Sequence, residues 1–157
     1  MRRRLVALAL GAALAVLIAG CAPAFPTGTG PVFAGRLLTD SSQVCDALSE
    51  VLSDAAMKFG GDLGALFDRE VAGDPSGVDR SSLAARARLT DLAFELWLTG
   101  HAAPDPDLAA AVVQASDNLD RLAFDQALLL GVRSINDLAA IARQVTAAIS
   151  PLTALCQ

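Results

Sequence analysis

The chain carries few side chains fit for nucleophilic or metal chemistry. Its cysteines are Cys21, Cys45 and Cys156, and His101 is its one histidine. A zinc site needs four N, S or O ligands at close quarters, and structural sites are dominated by Cys and His. One histidine and three scattered cysteines do not supply such a set. No serine stands in a G-x-S-x-G elbow, and neither a P-loop nor a G-x-G-x-x-G fingerprint is present. Carboxylates offer two rows. Asp46, Glu50 and Asp54 follow one another at spacings of four, and Asp117, Asp120 and Asp125 lie further on. On a helix the first row is one face, which reads as a solvated stripe with Lys58 offsetting its last member. The second row reads the same way. Gly60-Gly61-Asp62-Leu63-Gly64 is glycine-rich but follows a helical pattern, so it reads as a weak point in a helix rather than a phosphate cradle. His101 reads as a capping or surface residue at a helix end, where a cation suits the dipole. Trp97, the single tryptophan, reads as a core residue or, if partly exposed, as a contact for a ligand or partner. These side chains give no basis for catalysis and call for no cofactor.

One cysteine has a distinctive setting. Arg2-Arg3-Arg4 is followed by fifteen residues without charge, Leu5 to Ala19, and then by Gly20 and Cys21. A basic start followed by a short apolar run is what export requires of a signal segment. The run is short for a spanning helix, which needs roughly 20 apolar residues. Ile18-Ala19-Gly20-Cys21 resembles the lipobox of bacterial lipoproteins at every position: a branched aliphatic, a small residue, Gly or Ala, then Cys. The resemblance covers residues 1–21 alone. It implies that residues 1–20 are a signal peptide cut before Cys21, and that Cys21 takes a diacylglyceryl thioether. It implies a chain exported and held by lipid at the outer face of a cell membrane. Two acyl chains hold stably where one is marginal. The paired arginines also hint at twin-arginine export, but no Ser or Thr precedes them, and both routes stay open.

Residues 22–38 contain three prolines and three glycines among apolar residues, a pattern that breaks regular structure. They are expected to form a flexible tether reaching less than ~60 Å. The domain organisation is thus signal peptide 1–20, lipidated Cys21 and tether to 38, and a folded domain over 39–157.

The composition suits helices. Of 157 residues, 54% are apolar but only 4% aromatic, with no tyrosine. The mean hydropathy of +0.47 is raised by the N-terminal run. A core of Ala, Leu, Val and Ile favours packed helices over sheets. The net charge of −5 becomes more negative once Arg2, Arg3 and Arg4 are removed. An acidic surface repels phosphate backbones, which argues against nucleic-acid binding.

Four helices follow from periodicity. Asp40, Ser41 and Ser42 offer N-caps, and Val44, Leu48, Val51, Leu52, Ala55 and Phe59 recur at threes and fours. This first helix runs to about Val71, whole or broken at Gly60-Gly61. Residues 72–77 read as a loop. Asp79, Ser81 or Ser82 opens a second helix with Leu83, Ala87, Leu89, Ala93, Leu96 and Trp97 as its stripe, closed by Gly100. Asp105-Pro106 starts a third, expected to reach Leu130 before Gly131. Ser134-Ile135-Asn136-Asp137 resembles a capping box for a fourth, which carries Ile135, Leu138, Ile141, Val145 and Ile149. Pro151 is expected to weaken its last turn.

Short links favour antiparallel neighbours, so the expected fold is an all-α, up-down-up-down four-helix bundle. That topology sets the start of the first helix beside the end of the fourth, and so Cys45 beside Cys156. Export supplies an oxidising compartment, and a Cys45–Cys156 disulfide is expected. The functional reading is a membrane-anchored, non-catalytic interaction or structural module of the cell envelope, with an envelope protein as partner. The alternative is a carrier that holds a lipid or other apolar ligand between its helices.

Overall fold

The computed structural model describes residues 40–157. Cys21, the signal segment and the tether lie outside the described residues. Four helices and no strands make up the described part: α1 (Ser41–Ala72), α2 (Pro75–Gly100), α3 (Pro106–Phe124) and α4 (Ile135–Thr153). Consecutive helices pack against each other in antiparallel fashion, which gives the up-down-up-down bundle.

The helix starts are set by side-chain caps. Asp40 accepts from the Ser42 amide at 2.6 Å and the Ser42 hydroxyl at 2.7 Å. Asp105 accepts from the Asp107 amide at 2.8 Å, with Pro106 as the first helical residue. Ser134 and Asp137 form the reciprocal box: the Asp137 amide donates to Ser134 Oγ at 3.2 Å, and the Ser134 amide donates to Asp137 Oδ2 at 2.8 Å. The bonds from amides satisfy donors that the helix itself leaves unpaired.

The structure decides one boundary left open by the sequence and moves two others. First, α1 is one unbroken helix of 32 residues. Gly60, Gly61 and Gly64 weaken it only by propensity, because Phe59, Leu63 and Leu66 on the same helix are buried and hold that stretch in place. Second, the loop expected over 72–77 shrinks to Gly73-Asp74. Gly73, at φ 66°, ends α1 in the left-handed region, and Asp74 caps α2 by accepting from the Gly77 amide at 3.0 Å. Pro75 opens α2 at its first position, where a missing amide costs nothing. Third, α3 stops at Phe124 and not Leu130. Leu128, Leu129 and Val132 are buried from the α3–α4 connection, so apolar spacing continued past the end of the helix.

The fourth helix runs through Pro151 to Thr153. Pro151 has no amide to offer the Ala147 carbonyl, and the Ser150 hydroxyl donates to that carbonyl instead at 3.0 Å.

One core runs through all four helices, from Val44 and Leu48 through Leu89, Leu96, Val112 and Leu119 to Leu138 and Leu152. Gly100 and Val112 fix how closely α2 and α3 approach. A Cβ on Gly100 would lie 2.6 Å from Val112 Cγ2. Gly100 therefore serves packing and not a left-handed cap, and His101 caps α2 with right-handed helical backbone. The bundle is closed by a disulfide between Cys45 in α1 and Cys156 after α4, with Cα atoms 5.4 Å apart.

Candidate interaction surface

The second helix has two working faces. The inner face buries Ala85, Leu89, Leu92, Ala93, Leu96 and Gly100. This corrects the expected stripe, because Leu83, Ala87 and Trp97 are exposed. Both sets recur at threes and fours. Periodicity alone left the phase of the helix open by about one residue, and the actual phase is fixed by contacts to α1 and α3. Arg88 Nε donates to Asp62 Oδ2 of α1 at 3.2 Å. On the other side the hydroxyl of buried Ser116 in α3 donates to the Ala93 carbonyl.

That phase turns large rings outward. Phe94 is 60% exposed, Leu98 59% and Trp97 41%. Trp97 is thus a partly exposed residue and not a core one. The rings form a ladder: Phe94 and Trp97 have centroids 6.5 Å apart, and Trp97 and His101 stack at 4.0 Å, within 7° of parallel. His101 Nδ1 lies 2.7 Å from the Trp97 carbonyl. A carbonyl oxygen only accepts, so Nδ1 carries the proton and the imidazole is pinned over the indole. Helical spacing of three and four stacks these residues on one stripe. The ladder is an exposed, mutually stacked stripe of aromatic area with the His101 ring held at its end. Phe94 and Leu98 were not singled out from sequence, although their spacing from Trp97 and His101 was the available signal.

The remaining candidate residues do not converge on a site. Asp46 and Glu50 are exposed, and Asp54 pairs with Lys58 one turn on. Asp117 and Asp125 are exposed, and Asp125 accepts from the Ala127 amide at 2.8 Å to close α3. Asp120 departs from the solvated-row reading, since its Oδ1 is buried without a hydrogen-bond partner. Among the described residues no group of three or more His, Cys, Asp or Glu could hold a metal ion. No described helix is long and apolar enough to cross a membrane. A depression of about 290 Å³ lies at the α1–α2 turn, rimmed by Glu70, Asp74 and Asp79.

The carboxyls held below their ordinary range are helix caps. The Ser42 hydroxyl and amide lower Asp40. The Gly77 amide, then Ser76 and Arg69, lower Asp74. The Ser134 hydroxyl, then the Arg133 amide, lower Asp137. None of the three belongs to the ring ladder, so this perturbation serves the fold. No protein-family model, curated protein or solved structure matches this chain.

Proposed function

We propose that the chain is an exported lipoprotein, anchored through lipid on Cys21, whose helical bundle is a non-catalytic interaction module of the cell envelope. The anchor rests on the lipobox-like run Ile18-Ala19-Gly20-Cys21 behind its basic, apolar leader. The interaction role rests on one observation: α2 presents an ordered, exposed ladder of Phe94, Trp97 and His101 although a full core is available on its other face. Burying aromatic area of this kind is the usual source of binding energy at protein interfaces. The disulfide suits a compartment outside the cytoplasm. The alternative reading, a carrier of an apolar ligand, has no comparable support. The depression at the α1–α2 turn, where Glu70, Asp74 and Asp79 stand beside Pro75 and Val78, lies at one end of the bundle and not between the helices where that reading places its ligand.

The test places a photo-crosslinking amino acid at Phe94 in cells that make the full chain, with Met57 on α1 as the control position. Met57 is 71% exposed and lies outside the ladder. The expected result is a discrete adduct from position 94 that position 57 does not give. Equal labelling from both positions, or none, would refute the interaction role.

A further inference from the structure

The exposed rings of α2 stand toward the end of the bundle where the chain enters it. α1 and α2 are antiparallel neighbours, so Asp40, which caps the start of α1, and His101, which caps the end of α2, share that end. The bond from Arg88 to Asp62 fixes the register of the two helices. Counting ~1.5 Å per residue from that level, Asp40 stands about 24 Å beyond Phe94 along the bundle axis. Extended chain covers about 3.3–3.6 Å per residue, so about seven or eight residues before Asp40 reach back to the level of Phe94. That stretch begins at Val32 and Phe33.

The chemistry of the stretch matches the face it can reach. Residues 31–38 include Val32, Phe33, Leu37 and Leu38, and Arg36 is the sole charge between residues 22 and 39. On α2, Asp91 and Glu95 flank Phe94 and both are exposed, Glu95 lying nearer the end where the chain enters. Neither takes part in the ion pairs among the described residues, Lys58–Asp54, Arg69–Asp74 and Arg88–Asp62. No Lys or Arg stands between Arg88 and Arg121, so α2 offers no cation of its own beside the rings. Apolar side chains thus meet apolar rings, and one cation meets an unmatched carboxylate. The covalent link is short, which gives the segment a high effective concentration at this face.

We infer that residues 31–38 lie back along the last turns of α2, cover Phe94 and Trp97, and set Arg36 toward Glu95. A partner that uses this face must displace the segment, so the contact is autoinhibitory. That regulation, though not the contact, rests on the reading of this face as a docking surface. With the segment docked, residues 22–30 alone span the gap to Cys21, under ~33 Å, and release restores the full reach.

The test places a benzophenone amino acid at position 33 in cells making the full chain, and mass spectrometry of a tryptic digest maps the link. The expected product is an intramolecular link to the peptide of residues 89–121, with none from a benzophenone at position 25. Arg36→Glu should lower the yield roughly two- to fivefold, the range of an exposed ion pair. Adding Glu95→Arg should restore it. Trp97→Ser should lower the yield as well, and circular dichroism of each variant checks that the helices persist. Phe33→Ser with Leu37→Ser should raise the intermolecular adduct from a benzophenone at position 94. No link from position 33 to that peptide, or an equal link from position 25, overturns the inference, as does failure of the charge exchange to restore the yield. A link from position 33 to a second copy, another protein or lipid in place of that peptide also overturns it. A position-94 adduct unchanged by the double serine variant overturns the regulation. The intramolecular link without any position-94 adduct to another protein upholds the contact and sinks the docking reading alone.

Discussion

Gly100 and the glycines of α1 look alike in sequence and differ in what surrounds them. A side chain at Gly100 meets Val112 of α3, whereas a Cβ at Gly60, Gly61 or Gly64 meets nothing within 4 Å. Gly100→Ala should therefore overpack the α2–α3 contact and lower stability by about 1–3 kcal/mol. Gly61→Ala, in an open stretch of helix, should raise stability by up to about 1 kcal/mol. Thermal unfolding of the two variants checks both signs. The cap carboxylates set the acid limb. Asp40, Asp74 and Asp137 are lowered in the folded chain by the amides and hydroxyls they accept from. Their contribution is complete above the ordinary carboxylate range near pH ~4 and is lost as pH falls through the lowered folded values. The unfolding midpoint should hold steady from neutral pH to about 5 and fall below that. Asp137→Asn should lower the midpoint at neutral pH and flatten the acid limb, which a pH series of melting curves would record.

At the scale of elements, the disulfide joins termini that otherwise meet only through the fold. Cys45 and Cys156 are 111 positions apart, so cutting the link frees a long loop, worth about 4–5 kcal/mol in the chain-entropy treatment. Cys45→Ser with Cys156→Ser should lower the melting temperature markedly, with the frayed ends of α1 and α4 the first to exchange amide hydrogens. Hydrogen exchange would locate the change. The helix count, the pairing of those cysteines and the Ser134–Asp137 box were legible because each depends on local chemistry or on topology alone. Asp105-Pro106 reads as a helix start, while the same pair at Asp74-Pro75 reads as loop, because Gly73 and Gly77 surround it. In the structure Gly73 ends one helix, Asp74 begins the next, and Gly77 lies within it, close against the Asp74 carboxylate and the Arg69 stem. The end of α3 falls short of Leu130 for a different reason. Leu128 and Leu129 are core residues supplied by a connection, and apolar spacing does not record whether the backbone between them is helical. The orientation of α2 was the costliest difference. Two stripes share that helix, and only contacts from α1 and α3 decide which one is buried.

For the whole molecule, the parts divide along the chain. In the proposal, a leader and Cys21 would provide an address and residues 22–38 reach, while the bundle presents the exposed face of α2. The chain's net charge is −5, and the bundle is more acidic still because Arg2, Arg3, Arg4 and Arg36 lie outside it; such a surface disfavours adhesion to an anionic bilayer, so the proposal assigns membrane retention to the lipid and not to surface charge. The two ends of this account separate experimentally: changes at Phe94 or Trp97 should weaken partner contact and leave membrane retention intact, and loss of Cys21 should release the chain from the membrane and leave the bundle folded. The most direct measurement is membrane flotation of the full chain and its Cys21→Ser variant, with fatty-acid labelling of both. The account expects the parent chain to incorporate label and float with membranes at high salt. The variant should incorporate none, leave the membrane fraction and retain its helical circular dichroism. A Cys21→Ser chain that still floats at high salt, or a parent chain that takes up no fatty acid, would contradict it.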